Sequence, residues 1–140
     1  MSAVRIVLIE DNPADVYLVG LALKENGIPC ELTKFASGLE ALSVLCPADD
    51  EPAAAFVPDA ILLDLNTPKS DGFEVLLRLK QTPRLAHVPI AIITSSSATN
   101  DRHRSALQGV RYIQKPSQLE AFLTTVGQAV RDMLQGSPKR

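Results

Sequence analysis

Five short apolar runs, Arg5–Ile9, Glu31–Phe35, Ala60–Leu63, Pro89–Ile93 and Arg111–Gln114, alternate along this chain with segments of helical period. Few architectures accept that rhythm. Strands joined through helices run parallel, and a parallel sheet needs cover on both faces. The expected fold is therefore α/β, a doubly wound five-stranded parallel sheet with five helices. The 140 residues are enough for one such domain.

The helices mark their own boundaries. The first has Asn12 as N-cap, Pro13 at the first helical position, Val16, Val19 and Leu23 on one face, and a stop at Asn26-Gly27. Ser37-Gly38-Leu39-Glu40 and Ser117-Gln118-Leu119-Glu120 both have capping-box spacing. Phe73, Leu76 and Leu77 mark the third helix, and Leu119, Phe122, Leu123, Val126, Val130 and Met133 form a full apolar stripe on the last. The fourth, Thr99–Gln108, offers only Ala106 and Leu107 beside Asp101, Arg102, His103 and Arg104, so it should be weakly anchored. Residues 47–58 read as a loop insert. The domain is expected to span 1–135, with 136–140 as a flexible C-terminal tail.

A net charge of −2 gives no electrostatic footprint for nucleic acid. The first residues lack the pattern of a signal peptide, and no apolar run is long enough for a membrane span. The expectation is a cytoplasmic protein with no nucleic-acid or membrane partner. Cys30 and Cys46 have neither metal nor redox spacing and are expected as buried thiols. His87 and His103 are expected at the surface, while Tyr17 and Phe56 fit either core or surface.

In sheets of this class ligands bind beyond the carboxyl ends of the strands. Strand one ends in Glu10-Asp11, strand three in Asp64 followed by Asn66, strand four in Thr94-Ser95-Ser96-Ser97, and strand five in Lys115-Pro116. Asp64 is the oddest of these, because a charge directly after Ile61-Leu62-Leu63 is costly unless something pairs with it. Glu10, Asp11 and Asp64 in one crevice would repel without a cation, and oxygen donors suit a hard octahedral ion such as Mg2+. Thr94 adds a hydroxyl and Lys115 a mobile positive charge. A carboxylate beside a divalent cation, a lysine and a hydroxyl is what an aspartyl-phosphate site requires. Each feature alone has a plainer reading: a helix-entry turn at Asp11-Asn12-Pro13, a strand-end carboxylate at Asp64, a turn at Thr94, a loop at Lys115. Those readings leave unexplained why all four fall at the same ends of four strands.

On VLIEDNPAD, ILLDLNTPKSDG, PIAIITSSS and YIQKP, the chain resembles the receiver domain of two-component response regulators from about Val4 to Val130. The resemblance implies a flavodoxin-like (CheY-like) fold with strand order 2-1-3-4-5. It implies Asp64 as phosphoacceptor for a histidine kinase, and Asp11, Asp64 and the backbone carbonyl of Asn66 as Mg2+ ligands, with Glu10 acting directly or through water. Lys115 would contact the phosphoryl group, and Thr94 and Tyr112 would form the switch. The side chains at Asn66 and Ser96 flank the site and are expected to tune hydrolysis. Such a protein is not an enzyme beyond its own phosphorylation and dephosphorylation. DNPADV, DLNTPKSDG and ITSSS are most similar to stand-alone receivers paired with phytochrome-type or hybrid histidine kinases. That implies a homodimer through the strand 4, helix 4, strand 5 and helix 5 face.

Thr67, at a position usually apolar in the family, and the 47–58 insert depart from the pattern without removing a site group. Asp64-Leu65-Asn66-Thr67 superficially resembles a dehalogenase-type phosphohydrolase motif, but Asn66 stands where its general acid would be. A flavin binder would need donors and positive potential after strand one, where Glu10-Asp11 supplies the reverse. A pseudo-receiver acting only as a protein-interaction module is the remaining alternative, although it would usually lack an acidic or lysine position.

Overall fold

The computed structural model describes residues 3–46, 57–67, 71–95 and 99–135. Strands β1 (Val4–Ile9), β2 (Cys30–Phe35), β3 (Ala60–Leu63), β4 (Ile90–Thr94) and β5 (Arg111–Gln114) form one sheet in the order β2-β1-β3-β4-β5. Every neighbouring pair is parallel. Helices α1 (Pro13–Glu25), α2 (Gly38–Leu45), α3 (Gly72–Gln81), α4 (Thr99–Leu107) and α5 (Leu119–Leu134) alternate with them, and a short 3-10 turn, Pro83–Leu85, precedes β4. This is the expected flavodoxin-like architecture.

Alternation along the strands divides the core in two. Ile6 and Leu8 of β1 face Val19, Ala22 and Leu23 of α1 and Phe122, Val126 and Val130 of α5. Val7 and Ile9 face Leu42 and Leu45 of α2 and Phe73, Leu76 and Leu79 of α3. All four residues of β3 are buried, so this central strand is apolar throughout. The two helices of the first face are tied by Asn26, whose Nδ2 donates to Ala22 O at 2.8 Å and to Leu123 O at 3.1 Å.

The caps explain where helices start. Asn12 Oδ1 accepts from Ala14 N at 2.9 Å, with Pro13 following, and Gly27 leaves α1 at φ +68°. Ser37 Oγ accepts from Glu40 N at 3.2 Å, while the Glu40 carboxylate reaches back to Ala36 N at 3.1 Å. The capping box expected at Ser117 does not form. α5 opens one residue later, with Gln118 as an N-cap that makes no side-chain bond. Ser117 then stands outside the helix and Glu120 at its second position, a spacing that no longer permits the reciprocal pair.

Other departures are local. β4 runs Ile90–Thr94 instead of starting at Pro89, which has no N–H for the ladder and contributes only its carbonyl, accepting from Ile61 N at 3.0 Å. Among the α4 residues whose burial is described, Ser105 is buried and donates to Asp101 O at 2.9 Å, whereas Ala106 is exposed. Two arginines of this helix lie over aromatic rings: Arg104 3.9 Å over Phe73 and Arg102 4.7 Å over Tyr112. Cys30 and Cys46 are free and only half-buried, not core thiols, because Cys30 begins the edge strand and Cys46 ends α2 against Thr82. Tyr17 is 68% exposed, and His87 and His103 are at the surface. Phe56, Ser96 and the 136–140 segment lie outside the described residues.

Candidate functional site

Strand register builds the site. β1 and β3 are parallel neighbours with Ile9 opposite Leu63, so the residues that follow them, Glu10 and Asp64, emerge side by side. Asp64 N donates to Ile9 O at 3.0 Å, and Glu10 N to Phe35 O at 2.9 Å, which fixes both backbones at the sheet edge. Glu10 and Asp64 are buried while Asp11 is exposed, leaving one open side. Oxygens from the three carboxylates lie within 4.8 Å of one another.

Lys115 enters from the far side. Its N–H donates to Thr94 O at 2.7 Å, holding it at the end of β5, and its side chain crosses towards β1 and β3. There Nζ donates to Glu10 Oε1 at 2.6 Å, Asp15 Oδ2 at 2.7 Å and Asp64 Oδ2 at 3.1 Å. Backbone donors take up other oxygens: Asn12 N to Glu10 Oε2 at 3.1 Å and Asn66 N to Asp64 Oδ1 at 3.0 Å. Thr94, fully buried, accepts from Asn66 Nδ2 at 3.0 Å. Glu10, Asp11, Asp64 and Lys115 are thus brought together, and Asn66 links Thr94 to them.

Tyr112 stands apart from that cluster. It pairs in register with Ile92 while Thr94 pairs with Gln114, so Thr94 and Tyr112 point to the same face of the sheet from adjacent strands. Its ring packs against the core with Arg102 over it.

Four carboxylates now share the pocket with one ammonium, which bonds Glu10, Asp15 and Asp64. Burial pushes the Glu10 carboxyl up to about 7, and the charge of Asp64 adds to the push while Lys115 pulls the other way. For Lys115, burial alone would lower the ammonium, but its bonds to Asp15 and Glu10 and the charge of Asp64 outweigh that and hold it above its ordinary value. The excess of negative charge in a partly closed pocket is what a divalent cation would relieve. The donor set fits one: three carboxylates, all hard oxygen, with an open side at Asp11 for water ligands.

Asp15 was not singled out from sequence. Its signal was there, since a helix capped at Asn12 and starting at Pro13 returns Asp15 to the side of Asp11, one turn away.

Among the described residues no helix is long and apolar enough to cross a membrane. A family model described as the response regulator receiver domain matches residues 6–127. The response regulator Rcp1 of Synechocystis sp. is 42% identical over 96 residues, a match spanning 69% of this chain and 65%, just under two thirds, of that protein. The polar-differentiation response regulator DivK of Brucella ovis is 30% identical over 122 residues, 86% of this chain and 91% of DivK. Among solved structures, the phosphorylated cyanobacterial phytochrome response regulator RcpA is similar with TM-score 0.85 and 35% identity, covering 99% of this chain and all of that one. A Mn(2+)-bound form of Rcp1 is similar with TM-score 0.82 and 33% identity, covering 98% and 99%.

Proposed function

The chain belongs to the response regulator receiver family, and on that premise we propose that it is a phosphorylatable switch in which Asp64 accepts a phosphoryl group from a histidine kinase. The observation that carries this reading is the meeting of Lys115 Nζ with Asp64 Oδ2 at 3.1 Å beside the Glu10–Asp11–Asp64 oxygens. A pseudo-receiver needs none of these groups, and here all are in place.

In the reaction, a carboxylate oxygen of Asp64 attacks the phosphorus of a phosphohistidine. The new O–P bond makes an acyl phosphate, the P–N bond breaks, and the leaving imidazole takes up a proton. Asp64 is aimed by Asn66 N on Oδ1. The Lys115 ammonium stands ready for an equatorial oxygen. Glu10, Asp11, Asp64 and the carbonyl of Asn66 would hold Mg2+, which supplies charge neutralisation at the same oxygens when bound. Once the phosphoryl group is present, Thr94 exchanges its Asn66 partner for a phosphoryl oxygen, and Tyr112 follows on the same face of the sheet.

The kinase we assign is phytochrome-type, supported by the similarity to RcpA and Rcp1, and we place the exchange in the cytoplasm. Residues 1–135 form the receiver. The output is a homodimer through the β4, α4, β5 and α5 face, where polar α4 is held by arginines over aromatic rings. Intact-mass spectrometry after incubation with acetyl phosphate tests the reading. A gain of one phosphoryl group is expected with magnesium, and none with EDTA or in Asp64→Asn. Wild-type protein that stays unmodified in magnesium would overturn it in favour of a pseudo-receiver.

A further inference from the structure

All three N–H bonds of the Lys115 ammonium are engaged, by Glu10, Asp15 and Asp64. Asp15 differs from the other two. Among the described residues the group able to hold a cation is Glu10, Asp11 and Asp64, which leaves Asp15 out. Its side chain is 22% exposed, against 2% for Glu10 and 6% for Asp64. A cation at the site claims Glu10 and Asp64, and a phosphoryl group claims an Asp64 oxygen. Neither claims Asp15, whose charge faces the ammonium throughout.

We propose that Asp15 is a positioning residue that acts through Lys115, drawing the ammonium back from Asp64 and so weakening the site's hold on a phosphoryl anion while favouring the cation. The inference rests on the receiver reading. Two effects of Asp15 compete. It orders a flexible lysine, which would help anion binding. Its charge also offsets the ammonium and repels an incoming dianion from a position sharing the same nitrogen with Asp64. In a half-buried pocket the charge effect between such near neighbours exceeds the cost of ordering one side chain. For the cation the sign reverses: with Asp15 gone, Lys115 turns its full charge on Glu10 and Asp64 and competes for them.

The test compares wild type, Asp15→Asn and Asp15→Glu by calorimetric titration, first with Mg2+ alone and then with beryllofluoride at saturating Mg2+. Asp15→Asn is expected to weaken Mg2+ about fivefold and to tighten beryllofluoride about fivefold. Asp15→Glu, which keeps the charge, is expected to stay within about twofold of wild type on both. A structural role would weaken both ligands together, and that result overturns the proposal, as does an Asp15→Asn variant indistinguishable from wild type. Wild type that binds no beryllofluoride would instead bring down the receiver reading itself and this inference with it.

Discussion

Asn66 Nδ2 donates to Thr94 Oγ1 at 3.0 Å, so the residue two places beyond Asp64 tethers the buried hydroxyl at the end of β4. Two loops on different strands are joined by one bond. Thr94→Val keeps the volume but leaves the Asn66 amide without that acceptor, and is expected to cost about 1–3 kcal/mol in urea denaturation. Combined with Asn66→Ala the total should fall short of the sum of the single losses by on the order of 1 kcal/mol. Strict additivity would mean that the bond couples nothing.

Gly72 and Gly27 make opposite kinds of demand. A Cβ on Gly72 would lie 2.6 Å from the Leu65 Cα, so the loop that follows Asp64 would have to shift. At Gly27 nothing lies within 4 Å, and only its positive φ objects. Gly27→Ala should therefore cost about 1 kcal/mol of stability and leave Mg2+ binding unchanged. Gly72→Ala should cost about 1–3 kcal/mol and also impair Mg2+ binding. Paired denaturation and metal titrations check this, and a Gly72→Ala protein with wild-type metal affinity would refute the steric link to Asp64.

The arginines of α4 offer a third expectation. Arg104 over Phe73 and Arg102 over Tyr112 help to hold a helix in which Ser105 is buried. Replacing either by alanine is expected to lower local stability by roughly 0.5–1 kcal/mol. Amide hydrogen exchange should speed up in α4 and leave α1 and α5 unaffected. Uniform acceleration across the chain would place the effect in global stability instead.

Metal binding should carry a proton signature. Between pH 4.5 and about 7 the metal-free fold holds a proton on Glu10 that the unfolded chain has released, so this group makes stability fall as pH rises through that window. A divalent cation needs Glu10 ionised beside Asp11 and Asp64, with Lys115 and Asp15 as the other charges facing it. Magnesium binding is then expected to release a proton below about pH 7, its affinity rising with pH and levelling above that value. Calorimetry in two buffers of different ionisation heat measures the release. Glu10→Gln should abolish it, and a wild-type protein that releases none would count against the assignment.

Much of this was legible in the chain. The strands read through because apolar runs such as Ile61-Leu62-Leu63 belong in a covered parallel sheet, and Asp64, Thr94 and Lys115 are conspicuous at their ends. What could not be read depended on tertiary placement. Ser117 has the composition of a cap, but α5 starts a residue later. Ser105 is buried and Ala106 exposed, with Arg104 set over Phe73, an orientation of α4 that its composition does not announce. Asp15 looks like any first-turn carboxylate in the sequence, and only the fold brings it to Lys115, 100 residues away along the chain.

The central claim is that Asp64 itself carries the phosphoryl group, and borohydride trapping tests it most directly. An acyl phosphate is reduced to the alcohol, so an aspartyl phosphate leaves homoserine at its position. Protein treated with acetyl phosphate and magnesium, reduced and mapped by tandem mass spectrometry should show homoserine at position 64, and none there when magnesium is omitted. Homoserine at position 11 or 15 instead, or none at all in a protein that has gained the phosphoryl mass, would contradict the account.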